Sequence, residues 1–573
     1  MEIMNKRKNK KQNIIQLLVV ILIIFLLNFI ATFIVVRFDM TSEGRYSLSD
    51  KTRNLLKSLD DQLVVKIYLD GDDLPVGFKR MRTALDDMME VFNSYAHKEI
   101  NYWHINPSLI GDEKARFGLY KELYDKGLMP IESQEVSDEG KTSQKLVFPS
   151  VVIVYKNKSI GVNLLKSDPK FQIDGDENIN NSIQSMEYEI TNAIRKIMQP
   201  KKPEIAFIEG HGELSEYQTM YFASILTEYY QVKRGAINGS PGILDSFAAV
   251  VVAKPIEKFT ENDKLVLDQY IMKGGKVLWL LEGAKIEMDS LRMNSVNVAM
   301  PMENNLEDLL FKYGVRLNPG LLQDAQCSMI GLIRKNSTGN KPQIDLFPWP
   351  YYPVLLSSDT HEINKYLNLV RFEFCSTIDI VGSSQKVKKT VLLKSSVHSR
   401  FDYAPIQVSI ENLQQKVDKN NFKESDKTVA VLLEGVFESN FKSRMFENLI
   451  IPDNQIIKES KPTKMIVVSD GDFATSEIDM YGKPIPMGYD KDLKYIYKGN
   501  AEFLLNSVNY LCDDEGFMNI RLREIKLRLL NKDKVAKEKI FWQSLNTIVP
   551  IIIMAIFAVL FWIIRRRIYA RNW

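Results

Sequence analysis

The stretch from Ile540 to Ile564 contains no charged residue and ends in IVPIIIMAIFAVLFWII. At about 1.5 Å per residue, a helix of that length exceeds the roughly 30 Å hydrocarbon layer of a bilayer. Beyond Thr547 it has no hydrophilic residue to turn to water, so a membrane is its natural solvent. Trp542 and Trp562 lie near its ends, where amphipathic rings suit the headgroup level. Pro550 falls close to its start, where a membrane helix tolerates proline. Arg565, Arg566, Arg567 and Arg571 follow at once.

A second uncharged run, Ile14 to Val36, is interrupted mainly by Gln16, Asn28 and Thr32. It too has the length of a span. A cleaved signal peptide is the competing reading. It fits badly, because the run is long and Arg37, Phe38 and Asp39 follow it with no small-residue cleavage pattern. Lys6, Arg7, Lys8, Lys10 and Lys11 precede it, and such a basic cluster marks the cytoplasmic side. The second flank is less one-sided, since Lys532, Lys534, Lys537 and Lys539 precede the later run. The expected layout is a cytoplasmic segment 1–13, a span 14–36, a body outside the cytoplasm, a span 541–564 and a cytoplasmic tail 565–573. In a bacterium with two membranes the body is periplasmic and the spans lie in the inner membrane.

Charge narrows what the body does. The 75 basic and 72 acidic residues leave a net +3, with no basic, aromatic-interleaved stripe for nucleic acid. Cys327, Cys375 and Cys512 form no CxxC pair and no metal-ligand spacing. A Cys327–Cys375 bridge is open outside the cytoplasm but not established. No GxxxxGK[ST] loop occurs, so any ATP hydrolysis belongs to another subunit.

Between Leu63 and Leu165 the pattern reads strand, helix, strand, helix, strand, strand. QLVVKIYLD (62–70) and EINYWHINP (99–107) are β-rich runs. Apolar residues at helical spacing cover 78–96, and a helix over 114–126 stops at Gly127. Residues 148–165 read as a hairpin turning at Lys156–Lys158. The order resembles the thioredoxin fold, with Pro149 where that fold keeps a cis-proline. The redox motif is missing: Asp70-Gly71-Asp72-Asp73-Leu74-Pro75 stands in its place, and without a thiolate there is no disulfide exchange. We expect a redox-dead thioredoxin-like domain over 38–170, then a bridging helix over 176–200.

The segment EIAFIEGHGELSE (204–216) reads as a buried strand, a glycine turn and a helix opened by Ser215. Buried strands follow at 247–253 and 276–281, with a helix between them starting at Thr260 and ending at Gly274–Gly275. KMIVVSDGDF (464–473) is another buried strand, and a helix follows over 499–516. Such alternation implies a parallel, doubly wound sheet, expected over 203–516, with a membrane-proximal connector over 517–540. The basic stretch Arg521 to Lys539 reads either as an amphipathic surface helix or as a charged linker.

The EGHGE turn, the VVSDGDF strand end and GN-x-x-FLLNSVNYL resemble the GldG family of gliding-motility proteins, and the wider ABC-transporter auxiliary proteins. That resemblance implies an α/β fold class: two transmembrane helices flanking a thioredoxin-like domain and a doubly wound amidotransferase-like (flavodoxin-like) domain. It also implies partners, a GldF-like ABC permease and a GldA-like cytoplasmic ATPase, and a non-catalytic substrate-binding-like subunit with no cofactor. An amidotransferase needs a cysteine nucleophile at a strand end, and LLEGAK (280–285) offers neither Cys nor Ser.

Candidate ligand-binding residues are Glu209, His211 and Glu213, with Asp470 and Asp472 at another strand's carboxyl end. Such ends bind ligands in open α/β sheets. The plainer reading has Gly210 and Gly212 making a tight turn and the acids capping helices. No catalytic residue and no metal site is expected. His104 and His398 are lone polar residues. FPWPYYP (347–353) reads either as a partner-docking surface or as a rigid loop over the core.

Overall fold

The computed structural model describes residues 15, 17–26, 29, 48–71, 74–136, 142–165, 175–199, 201–333, 344–357, 360–382, 385–411, 413, 416–442, 450, 455–522 and 532–569. The chain divides into two compact units, Met1–Arg523 and Glu524–Trp573.

The first unit opens its described body with α1 (Asp50–Lys57), β1 (Leu63–Ile67), α2 (Val76–Tyr95), β2 (Ile100–His104) and α3 (Glu113–Asp125). Strands β3 (Ile131–Val136), β4 (Thr142–Val147), β5 (Ser150–Tyr155) and β6 (Lys158–Asn163) follow, then α4 (Gly175–Met198). Strands β2, β1, β5 and β6 form one sheet in that order. β1 runs parallel to β2 and antiparallel to β5. The β5–β6 turn uses Lys156 and Asn157 at φ of 43° and 63°, the mirror-image turn whose twist suits a two-residue hairpin.

Leu63, Val65 and Ile67 alternate into a core shared with Met81, Leu85, Met89 and Phe92 of α2 and Ile190 and Ile194 of α4. The spacing of those helix residues puts them on one face. The opposite side of α4 meets later parts of the chain: Tyr188 packs with Phe517 and Met518, and Arg195 pairs with Asp513 at 3.2 Å. The β3–β4 hairpin is an addition to the expected strand order, with its own two-stranded pairing. Its polar composition hid it from a search for apolar runs. The bond before Pro149 is not cis; among the described residues the cis bond precedes Pro405. Asp72 and Asp73 lie outside the described residues.

The second sheet is built from β7 (Glu204–Glu209), β8 (Gln231–Ala236), β9 (Ala249–Ala253), β10 (Val277–Leu280) and later strands, with α5 (Met220–Thr227) and α6 (Glu261–Met272) as crossovers. Two shorter-range strands, β11 (Cys327–Ile333) and β12 (Ile344–Leu355), precede β13 (Val387–Lys394), β14 (Thr428–Gly435), β15 (Thr463–Val468) and α7 (Gly499–Leu511). The seven-stranded order is β13-β14-β15-β10-β9-β7-β8. The five strands from β15 to β8 are mutually parallel, and β14 and β13 add antiparallel neighbours. In chain order the parallel set reads 5-4-3-1-2, so the winding reverses between β7 and β9.

Both faces of this sheet are covered. Phe207, Val251, Leu278 and Ile466 meet α5 and α7 through Phe222, Leu226, Phe503 and Leu504. Ile208, Val252, Trp279 and Val467 meet α6 through Leu267 and Ile271. Strands buried on both sides carry unbroken apolar runs, which is why 204–209, 249–253, 277–280 and 463–468 are legible. The helix expected to open at Ser215 starts instead at Met220, with Thr219 as its cap residue. Ser215 and Gln218 first close a short turn, the Ser215 amide donating to Gln218 Oε1 at 3.0 Å.

FPWPYYP is neither loop nor exposed surface: it lies inside β12, with Trp349 and Tyr352 buried. Prolines survive there because the pairing with β11 is broken between Cys327–Pro353 and Met329–Pro348, and a bulge spares them ladder hydrogen bonds. Cys327, Cys375 and Cys512 are free thiols.

The second unit is α8 (Lys532–Tyr569), bent at Glu538. Its Lys537–Arg567 portion is long and apolar enough to cross a membrane, and none of that window is buried. At the N-terminus Leu17–Leu26 forms a shorter apolar helix; much of the expected 14–36 span, and residues 523–531 of the connector, lie outside the described residues.

Candidate functional site

The structure separates the five predicted residues into three places. Glu209, the last residue of β7, turns to β8 and accepts from Arg234 Nε at 2.6 Å. His211 and Glu213 stay together. Glu213 accepts from the His211 amide at 2.7 Å and lies 3.2 Å from Nδ1, while Nε2 lies 3.2 Å from Asp263 of α6. The imidazole stacks on Phe259 with ring centroids 3.6 Å apart. Burial opposes protonation, but Glu213 and Asp263 outweigh it and raise the His211 pKa. Burial likewise opposes the Asp263 charge, yet Thr260, the Gly239 amide and His211 hold its pKa below the ordinary value.

This turn fills the place where the winding reverses. The His211 carbonyl accepts from Ile256 and Glu257, and the Leu214 amide donates to Ala253 at the end of β9. Gly210 and Gly212 adopt φ of 113° and 71°, and a Cβ on Gly212 would sit 2.5 Å from Ile256 Cγ1. The glycines are there for backbone approach, and the crevice at the reversal is closed by the chain's own hydrogen bonds.

Asp470 and Asp472 lie elsewhere, past the end of β15, and line a polar cleft of about 340 Å³. Lys254 lines the cleft with them, and the buried Glu282 bonds the backbone between the two aspartates. Lys254 follows β9 in a left-handed conformation, φ 53°, a strain that bulky residues adopt only when neighbours enforce it. Its Nζ pairs with Asp472 Oδ2 at 2.5 Å. Glu282 follows β10 and accepts from the Gly471 amide at 3.0 Å. Gly471 leaves room for both, since a Cβ there would lie 2.7 Å from Lys254 Cγ and 3.1 Å from Glu282 Cγ.

Burial, reinforced by Asp472 and Asp470, pushes the Glu282 carboxyl well above its ordinary pKa. Burial and then Asp472 do the same for Asp470. Burial opposes the Lys254 charge, but Asp472 and Glu282 more than compensate and raise its pKa. Asp470 Oδ2 accepts from the Glu373 amide at 2.7 Å, while its Oδ1 is buried with no hydrogen-bond partner. Arg371 completes the wall, its guanidinium 2.7 Å from Glu373 and 4.5 Å above the Tyr352 ring. A plainer sequence signal would have found two of these: Lys254 and Glu282 are the first charged residues after their buried strands. Arg371 and Glu373 had no such signal, because their place depends on long-range packing.

The cleft is lined mainly by polar and charged side chains. Cys375 is fully buried, and that burial pushes its pKa well up. Among the described residues no group of His, Cys, Asp and Glu is arranged to hold a metal ion. His104 is 2.9 Å from Asp86, away from the cleft residues, and His398 is exposed.

Comparison with known proteins places the chain in a family. Residues 42–154 match a domain of unknown function, DUF7088. An uncharacterized protein of Borreliella burgdorferi is 19% identical over 508 residues, 86% of each chain. Among solved structures, the mmIFT52 N-terminal domain overlaps 54% of this chain and 96% of its own at 13% identity, TM-score 0.31. A putative ThuA-like protein of Parabacteroides merdae overlaps 55% and 90% at 9% identity, TM-score 0.26. Residues 202–507, more than half of the 573, match the model of the ABC-type uncharacterized transport system, and the chain therefore belongs to this ABC-transporter auxiliary family.

Proposed function

We propose that this protein is a non-catalytic, GldG-like subunit of an ABC-type complex that serves gliding motility, binding or transmitting conformational change. Its partners are a multi-span GldF-like permease and a cytoplasmic GldA-like ATPase. The observation that carries the reading is the joining of a family α/β body to a helix, Lys537–Arg567, with the length and apolarity of a membrane span. In this reading residues 14–36 form a second span, the body lies in the periplasm and both termini are cytoplasmic. The 2-1-5-6 sheet is a thioredoxin-like domain without its thiols, and the doubly wound sheet is amidotransferase-like. Both assignments rest on strand order and on the missing nucleophiles. One or two helices are too few for a translocation path, so the helices pack against the permease.

The test is purification of the tagged full-length chain in mild detergent, with mass spectrometry of what accompanies it. A permease and an ATPase in fixed ratio are expected. Recovery with envelope proteins alone would replace this reading with a scaffold that handles no solute.

A second reading has a specific observation behind it. Asp470 is buried, lines the cleft and leaves Oδ1 unpartnered, as a solute-binding subunit would. Here the Asp470 and Asp472 side belongs to the ligand site, while Glu209, His211 and Glu213 hold the turn.

A further inference from the structure

The charges around the Asp470 cleft do not balance, and the imbalance says what would fill it. Four cations line it, and each already has a carboxylate: Lys254 has Asp472 at 2.5 Å and Arg292 has Asp492 at 2.8 Å. Arg371 has Glu373 at 2.7 Å and Lys491 has Glu477 at 3.5 Å. Arg371 Nε makes no hydrogen bond but faces Asp490 at 3.6 Å, so all four cations are charge-paired and the lining carboxylates outnumber them eight to four. Four lining carboxylates remain. Asp490 is saturated by Ser328 and by two backbone amides. Glu287 and Asp289 are exposed on the rim. Asp470 is 1% exposed and its Oδ1 has no partner, an omission that costs stability unless something supplies a donor.

A metal ion does not suit the cleft, because no three donors are gathered for one among the described residues. A hydrogen-bond donor carrying positive charge on an organic frame does. The volume, about 340 Å³, is at the small end of ligand pockets and suits an amine of amino-acid size. Tyr352 and Phe374 line the same wall, with Arg371 already over the Tyr352 ring.

We propose that this cleft binds a small organic cation, a primary ammonium or guanidinium, which donates to Asp470 Oδ1 and is drawn in by Glu287 and Asp289. The proposal deepens the solute-binding reading and does not depend on the ABC partners. An ammonium at Oδ1 favours the ionised carboxylate that burial otherwise disfavours, so binding releases a proton and tightens as pH rises.

The experiment is isothermal titration calorimetry of the full-length chain in detergent with 1,4-diaminobutane and agmatine, against butane-1,4-diol and succinate as neutral and anionic counterparts. The amines are expected to bind and the counterparts not, with a heat that varies with the ionisation enthalpy of the buffer. Asp470→Asn is expected to weaken binding by about tenfold or more. Asp289→Asn, on the exposed rim, is expected to weaken it about twofold to fivefold with added salt erasing the difference. Absence of amine binding at about 10 mM, preference for succinate, or equal affinity in both variants overturns the proposal. Co-purification of the Asp470→Asn chain with a permease is scored separately, so loss of ligand and loss of partners are told apart.

Discussion

His211 is 6% exposed and held between two carboxylates. Its raised pKa has a stability consequence with a definite sign. The stabilisation is fully present below the ordinary histidine value of about 6.5 and is lost as pH rises through the raised folded value. The unfolding free-energy gap between the parent chain and His211→Ala should therefore be widest near pH 6, about 3 kcal/mol for a broken buried pair, and should narrow toward pH 9. A constant gap would mean that only the stacking on Phe259 mattered. Glu282 carries the opposite sign. An acid whose folded pKa lies well above its ordinary value binds a proton that the unfolded chain has released, so the native state loses stability as pH rises. Glu282→Gln keeps an acceptor for the Gly471 amide, and should raise the melting temperature at pH 7–8 by an amount that shrinks toward pH 4.5. These roles were not legible residue by residue. The glycine turn announced itself in EGHGE, but the Asp263 partner sits 52 positions away, and only packing of α6 brings it in.

At the scale of elements, legibility followed burial. β7, β9, β10 and β15 are covered on both faces, so their apolar runs are continuous and stand out. The helix α6 was equally plain, since Thr260 caps it through the Asp263 amide and Gly274 follows its end. β12 was misread because proline is rare in paired strands, and only the irregular register with β11 shows how Pro348 and Pro350 fit. Its aromatic residues are core, with Trp349 1% exposed and in contact with Tyr351 and Phe374. Trp349→Ala should cost about 3–5 kcal/mol, seen as a lower midpoint in denaturant unfolding. A docking surface would instead show unchanged stability and a lost partner.

The whole molecule is a folded body, Met1–Arg523, and a helical unit, Glu524–Trp573. Ending the chain after Arg523 removes α8 and its apolar window. If residues 14–36 also span, that truncated chain stays in the carbonate-washed membrane fraction, and removing 1–37 as well releases it. We expect this two-step release; release at the first step would leave α8 as the single anchor. What the sequence by itself determined is whatever depends on local composition: an apolar run too long for a globular core, strands whose every residue is buried, and turns that need glycine. What only the tertiary structure decided is the grouping of charges. Lys254, Glu282 and Asp470 come from three strand ends up to 216 positions apart. Parallel strands bring their carboxyl ends to one edge whatever lies between them, while the EGHGE turn, the more conspicuous motif, spends its polar groups on closing the sheet's own reversal point.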